Sequence, residues 1–286
     1  MPKTRLDVLL VERGLADSRA KAQALIMAGQ VRVNDQVALK PATATDTKST
    51  LKVDSGPRFV SRGGEKLEGA LDTFAIDVKG FVCADVGSST GGFTDCMLQR
   101  GAVKVYAIDV GKGILHWKLR NDRRVVVMEE TNARFVESLP EMVNFVTVDA
   151  SFISLKVLLP VIKKWIFPLS TFVNEEETKE KRSVLALIKP QFEAGKKEVS
   201  RGDGVIRDPE IHKQVLLDVL NYAKAEGFGL RGLVKSSLLG PKGNVEFLLW
   251  MDTHPNENSV EEFVNHVMKE EIASDGEEPS SQPHES

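Results

Sequence analysis

The chain has 286 residues, 42% hydrophobic and 28% charged, with a formal net charge of −3. It can bury a sizeable core with room for two domains, and its composition excludes disordered and fibrous classes. No run reaches the roughly 18 apolar residues of a membrane helix, Met1-Pro2-Lys3-Thr4-Arg5 lacks the apolar core of a secretory signal, and two cysteines, Cys83 and Cys96, suit a reducing, cytoplasmic setting without a metal-ligand set.

Residues 1–66 hold twelve Lys or Arg against seven Asp or Glu, a balance suited to a polyanionic partner. Leu6, Leu9, Leu10 and Arg13 fall at helical spacing, with Gly14 as a stop. Asp17 or Ser18 caps a second helix from Arg19 to Ala28, closed by Gly29. Short strands are expected at Gln30–Val33 and Gln36–Ala38, around a turn at Asn34-Asp35, and at Thr50–Val53. Asp54-Ser55-Gly56-Pro57 breaks helix and strand alike, so residues 1–55 read as one domain and 56–62 as a linker. Ser61 is then expected to cap a helix that buries Leu67, Ala70, Leu71 and Phe74. Lys66 falls in its first turn, an electrostatically poor place for a cation.

From Phe81 onward, short apolar runs alternate with helical patterns. Strands are expected at 81–86, 103–108, 125–128, 144–148, 184–188, 229–235 and 244–251, and helices at 91–100, 114–120, 154–165, 209–226 and 259–271. This alternation predicts a mostly parallel α/β sheet over a second domain, 63–271. The last two strands lack an intervening helix, which leaves one free to run antiparallel. Residues 174–182 read as a charged surface insertion, and 272–286 as an acidic disordered tail. Lys196-Lys197 and the Gly-rich stretch Arg201–Asp208 fit a loop closing over RNA or a plain connection. His116-Trp117 could stack on a base or the cofactor, but a buried tryptophan is the favoured reading. His212 and His254 have no partners at metal-ligand spacing.

The most informative stretch runs from Asp85 through Val86, Gly87, Ser88, Ser89, Thr90, Gly91, Gly92 and Phe93. A strand ends at an acid, the chain turns on glycine and a helix begins, which presents free N–H groups to a ligand. The spacing G-x-x-x-G-G differs from the dinucleotide pattern G-x-G-x-x-G. S-adenosylmethionine fits better, because its amino and carboxylate ends suit a turn offering both carbonyls and N–H groups. Asp109 ends the next strand, about 20 residues further on, where an acid commonly takes ribose hydroxyls. Asn132 follows the third strand within reach of an adenine, and Asp149 ends the fourth, beside the methyl group.

The pattern from Arg5 to Asn34, R-L-D-x-x-L-x-x-x-G-L-x-x-S-R-x-x-A-x-x-x-I-x-x-G-x-V-x-V-N, resembles the S4 RNA-binding domain. That resemblance implies an RNA-facing surface with Arg5, Ser18, Arg19, Lys21, Gln23 and Arg32, extended by Arg62 beyond the domain. The four strand ends resemble class I methyltransferases, with a Rossmann-like, mostly parallel seven-stranded sheet containing one antiparallel strand. Asp-Val-Gly-Ser-Ser-Thr-Gly-Gly-Phe-Thr-Asp resembles the FtsJ-like branch, which methylates ribose 2′-hydroxyls of RNA. An S4 domain, Ser-Arg-Gly-Gly-Glu-Lys-Leu and this domain in series resemble the TlyA family, often labelled hemolysin A. The resemblance implies an rRNA cytidine 2′-O-methyltransferase acting on ribosomal subunits, with S-adenosylmethionine as cofactor and no metal.

It also implies a catalytic set of Lys66, Asp149, Lys189 and Glu246. A ribose hydroxyl is a poor nucleophile until its proton leaves, and a lysine takes a proton only where burial or a nearby cation favours its neutral amine. On this reading Lys66 is the cation near Lys189, while Asp149 and Glu246 orient the ammonium groups. Glu246 alternates with Val245 and Phe247, so the solvent face of an edge strand explains it equally well. Three alternatives stand beside this reading: an inert RNA-binding assembly factor, a cytolysin and a base-nitrogen methyltransferase. The last usually carries prolines after the fourth strand, where this chain has Asp149-Ala-Ser-Phe152. Oligomeric state is left open.

Overall fold

A computed structural model describes residues 2–54, 56–167, 182–195 and 204–275. The chain divides into two compact units, Met1–Arg58 and Phe59–Ser286.

The first unit runs β1 (Lys3–Arg5), α1 (Leu6–Glu12), α2 (Arg19–Met27), β2 (Val31–Val33), β3 (Gln36–Ala38), β4 (Ala44–Asp46) and β5 (Leu51–Val53). Of the two candidate caps, Ser18 holds the position, its hydroxyl accepting the Lys21 N–H at 3.2 Å. Asn34 and Asp35 both take positive φ, the turn geometry that matches the twist of a two-residue hairpin. That hairpin pairs β2 with β3, and β5 lies on the other side of β2. Leu6, Leu10, Ala22, Ile26 and Val31 form the core between helices and sheet. Sequence reading missed β1 and β4, which pair antiparallel from Lys3↔Asp46 to Arg5↔Ala44.

The second unit runs α3 (Gly63–Thr73), β6 (Val82–Val86), α4 (Gly92–Gln99), β7 (Lys104–Ile108), α5 (Trp117–Arg120), β8 (Val125–Met128), β9 (Phe145–Val148), α6 (Leu155–Ile166), β10 (Ser183–Ile188), α7 (Pro190–Glu193), α8 (Pro209–Ala225), β11 (Gly229–Lys235), β12 (Phe247–Asp252) and α9 (Val260–Asp275). Its seven strands stand in the order β11-β12-β10-β9-β6-β7-β8, and β12 runs antiparallel to both neighbours. Successive residues of a strand face opposite sides. Thus Ala84 and Val86 join α6, α8 and α9 in one apolar layer, while Cys83 joins α3, α4 and Leu119 of α5 in the other.

Several local expectations change. Ser61 does not cap α3: Arg62 occupies that position without a side-chain cap. Phe59 is buried in the second core and the Val60 N–H donates to Asp95, so 59–62 pack with the second unit. The helix expected from residue 114 begins at Trp117, which is 71% exposed, and Leu119 is buried in its place. The helix expected to end at 271 continues to Asp275. Residues 174–181, 196–203 and the tail beyond Asp275 lie outside the described residues.

Candidate active site

The strand order reverses between β6 and β9, and ligands of such sheets bind beyond the strand ends at that point. Gly87 leaves β6 with φ +82. A Cβ there would lie 2.7 Å from the Asp149 carbonyl oxygen, so the loops after β6 and β9 approach this closely only around glycine. Gly92 answers to a different contact, since a Cβ would fall 2.3 Å from Ser61 Oγ and 2.8 Å from the Gly64 nitrogen. It lets α4 dock on the start of α3, the helix that carries Lys66. These glycines thus serve close approach of chain to chain.

Two cavities open at this point. The first, about 360 Å³, has Arg62, Lys66, Thr90, Lys189, Leu239 and Glu246 in its wall. The second, about 450 Å³, has Asp109, Ile114, Asn132, Arg134, Ala150 and Phe152. Gly87, Ser89, Asp149 and Ser151 line both. Of the expected cofactor residues, Ser88, Thr90, Gly92 and Phe93 line the first cavity, and Asp109 and Asn132 the second. Gly91 reaches neither and abuts Leu119. Asp85 also reaches neither: it is fully buried and accepts the hydroxyls of Thr94 at 2.6 Å and Thr147 at 3.1 Å. Burial outweighs these bonds and pushes its carboxyl up to about 7.

The donor set fits S-adenosylmethionine. Asp109 accepts the Ser89 N–H at 2.8 Å and the Gly111 N–H at 2.7 Å, which fixes its carboxylate at the second cavity with lone pairs left for a ribose diol. Asn132 uses Oδ1 to accept the Arg134 N–H, and its amide NH₂ has no partner among the described residues. Apolar Ile114 lines the same cavity, as an adenine face requires.

The four expected catalytic residues form two ion pairs in the wall of the first cavity. Lys66 Nζ lies 2.5 Å from Glu246 Oε2 across 180 residues of sequence. Glu246 is buried, because β12, which it precedes, sits inside the sheet between β10 and β11. Lys189 Nζ lies 2.6 Å from Asp149 Oδ1 and donates to Ser151 Oγ at 3.1 Å and to the Asp149 carbonyl at 3.3 Å.

Sequence reasoning missed the parts that brace this pair. Glu193 in α7 accepts the Leu155 N–H at 2.7 Å and the Ser154 hydroxyl at 2.5 Å. Burial raises its carboxyl above the usual range despite those bonds. The Phe152 and Phe192 ring centroids lie 4.9 Å apart, tying the loop after β9 to α7. Phe152 is 90% exposed and has φ +63. Its available signal was an aromatic residue just past a strand-end acid.

In the first unit, the expected RNA-facing residues separate into groups. Arg5, Arg19 and Gln23 converge on buried Asp7. The hydrogen bonds from Arg5, then those from Gln23 and Arg19, hold the Asp7 carboxyl well below the usual range against the cost of burial. Ser18 uses its hydroxyl as a helix cap, Lys21 is exposed, and Arg32 pairs with Asp54 at 2.8 Å. Arg62 belongs to the second unit and lines its first cavity. Among the described residues, no three of His, Cys, Asp and Glu come together as a metal site, and no helix is long and apolar enough to cross a membrane.

The fold and site define a class I methyltransferase unit of the FtsJ-like kind, preceded by an S4 unit. Residues 59–253 match the FtsJ-like methyltransferase family, and residues 4–46 match the S4 domain. The chain is 46% identical over 255 residues to the 16S/23S rRNA (cytidine-2′-O)-methyltransferase TlyA of Mycobacterium tuberculosis, covering 88% of this chain and 90% of that protein. It is 40% identical to Hemolysin A of Brachyspira hyodysenteriae, covering 85% and 98% respectively. A solved structure from Streptococcus thermophilus that bears the hemolysin label is 40% identical, covers 97% of this chain and 100% of its own, and superposes with a TM-score of 0.67. The chain belongs to the TlyA family.

Proposed function

We propose that this chain transfers the methyl group of S-adenosylmethionine to the 2′-hydroxyl of a cytidine in ribosomal RNA, in the cytoplasm. The observation that carries this reading is the pair of lysine–carboxylate contacts in one cavity, which meets a second cavity of about 450 Å³ at Gly87 and Asp149. The relatives supply the substrate class. Cys83 and Cys96 are both buried and not joined in a disulfide, which fits a reducing compartment.

When bound, the cofactor supplies a methyl group already activated by its sulfonium. The Asp109 carboxylate and the Asn132 amide hold its nucleoside end, and the Ser88–Thr90 turn its amino-acid end. In its neutral-amine form Lys189 receives the proton of the 2′-hydroxyl at Nζ and becomes the ammonium paired with Asp149, while Asp149 and Ser151 fix the direction of the nitrogen. Lys66, kept in place by Glu246, adds positive charge on the same cavity. The exposed Phe152 ring at the rim offers a stacking face for the acceptor base. Most of the rate gain comes from holding the acceptor oxygen in line with the methyl carbon. The first unit docks on RNA through Arg5 and Arg19.

The test is incubation of purified protein with labelled S-adenosylmethionine and unmethylated ribosomal subunits, followed by nucleoside mass spectrometry. The expected product is 2′-O-methylcytidine. Label on a base, or no transfer to either subunit, would overturn the proposal.

A further inference from the structure

Asp7 is an acid in the middle of a surface assigned to a polyanion. Its side chain is fully buried, yet it takes four hydrogen bonds: from Arg5 Nε at 3.0 Å and Nη2 at 2.9 Å, Arg19 Nε at 3.0 Å and Gln23 Nε2 at 2.8 Å. The two arginine side chains stay 46% and 57% exposed. The acid is inside and the cations are outside. Each guanidinium carries five N–H donors in a rigid fork. Arg5 commits two of them and Arg19 one to Asp7, and the remaining donors have no partner among the described residues. Arg5 precedes α1, while Arg19 and Gln23 share one face of α2 at i, i+4 spacing. One carboxylate therefore fixes cations from two elements of the first unit.

We infer that Asp7 is a positioning residue for RNA: it presets Arg5 and Arg19 as a fork for neighbouring backbone phosphates. The inference rests on the RNA-docking reading of the first unit. A mobile arginine loses rotamer freedom when it grips a phosphate, and these two have lost it on folding. Point-charge reasoning gives the opposite sign, since removing an acid from this surface should strengthen attraction to RNA. The two accounts separate cleanly by experiment.

The full chain is titrated with deproteinised ribosomal RNA in filter binding over a salt series. For Asp7→Asn, affinity is expected to fall about tenfold, the loss of one well-placed contact. The slope of log K against log salt is expected to become shallower by about one to two, one unit per lost phosphate contact. Both changes would occur although the protein has gained positive charge. Unchanged or tighter binding with an equal or steeper slope would overturn the inference. Because the covered Asp7 carboxylate also ties β1 to α2, a second variant decides the matter if Asp7→Asn fails to fold. Arg5→Lys keeps the charge at an exposed site but has no fork, and should bind within about twofold of Arg5→Ala. Wild-type binding by Arg5→Lys would mean that charge alone suffices and the inference falls. If Arg5→Ala and Arg19→Ala bind RNA as the wild type does, the docking reading of this face fails, and the role of Asp7 falls with it.

Discussion

Both units pair basic side chains with a buried carboxylate, but they turn the pair in opposite directions. In the second unit the cations are enclosed: the side chains of Lys66 and Lys189 are 11% and 8% exposed, held by Glu246 and Asp149 against a cavity. In the first unit the carboxylate of Asp7 is enclosed and the arginines face outward. The residue types follow the direction. A lysine amine can gain or lose a proton when desolvated, whereas a guanidinium keeps its charge and offers a fork matched to phosphate. On the proposed reading, one arrangement serves proton transfer and the other serves grip.

The largest expected effect tests the enclosed side. Lys189→Ala should lower methyl transfer by about a thousandfold, the middle of the range for a general base. Calorimetry should find cofactor affinity largely kept, because Lys189 is absent from the cavity of Asp109 and Asn132 that would take the nucleoside end. Retained activity would remove Lys189 as proton acceptor and dissolve the contrast. Next, Glu246→Gln leaves the Lys66 ammonium buried without a counter-charge and should cost about 3 kcal/mol in urea unfolding. Asp54→Asn breaks the exposed Arg32 pair and should leave unfolding unchanged. Equal shifts in the two variants would show that enclosure makes no difference.

A smaller effect comes from Asp85, an enclosed acid without a cation. Its carboxyl is raised from 3.8 to about 7, mainly by burial, so the folded chain holds a proton that the unfolded chain releases. The resulting stability is complete below the unfolded value and is lost as pH rises through 7. Between about pH 5 and pH 8 the wild-type Tm should therefore fall relative to that of Asp85→Asn. Parallel curves would mean that Asp85 does not titrate in this window. Least of all, Ser18→Ala should cost about 1 kcal/mol through loss of the α2 cap. Cofactor binding in calorimetry should be untouched, because the expected cofactor residues all lie in the second unit.

Much of this was legible in the sequence because it is written in local periodicity. The seven strands of the second unit, the turn at Asp85–Phe93 and the Ser18 cap each declare themselves within a few residues. What stayed hidden depends on neighbours far along the chain. Glu246 reads as the solvent face of an edge strand because Val245 and Phe247 alternate with it. Its burial follows from the insertion of β12 between β10 and β11, which no local pattern encodes. Asp85 reads as a ligand contact at a strand end, yet Thr94 and Thr147 enclose it from two other elements. Trp117 reads as buried on a short amphipathic helix, but that helix starts three residues later than its pattern and buries Leu119 instead. β1 and β4 stay hidden because Lys3-Thr4-Arg5 and Ala44-Thr45-Asp46 carry none of the β-branched apolar residues that mark β2 and β5.

The late insertion of β12 also orders events in time. Lys66 leaves the ribosome early in synthesis of the second unit, whereas Glu246 and the strand after it come late, with only α9 to follow among the described elements. Until β12 enters, the sheet has a gap beside β10 and Lys66 has no carboxylate beside it. The nucleoside cavity, built from residues 86–158, needs none of that final hairpin. The residues of that cavity and of the Asp149–Lys189 pair are thus all synthesised before the carboxylate partner of Lys66. The Lys66–Glu246 pair in the wall of the first cavity therefore closes only when the final strand takes its place in the sheet.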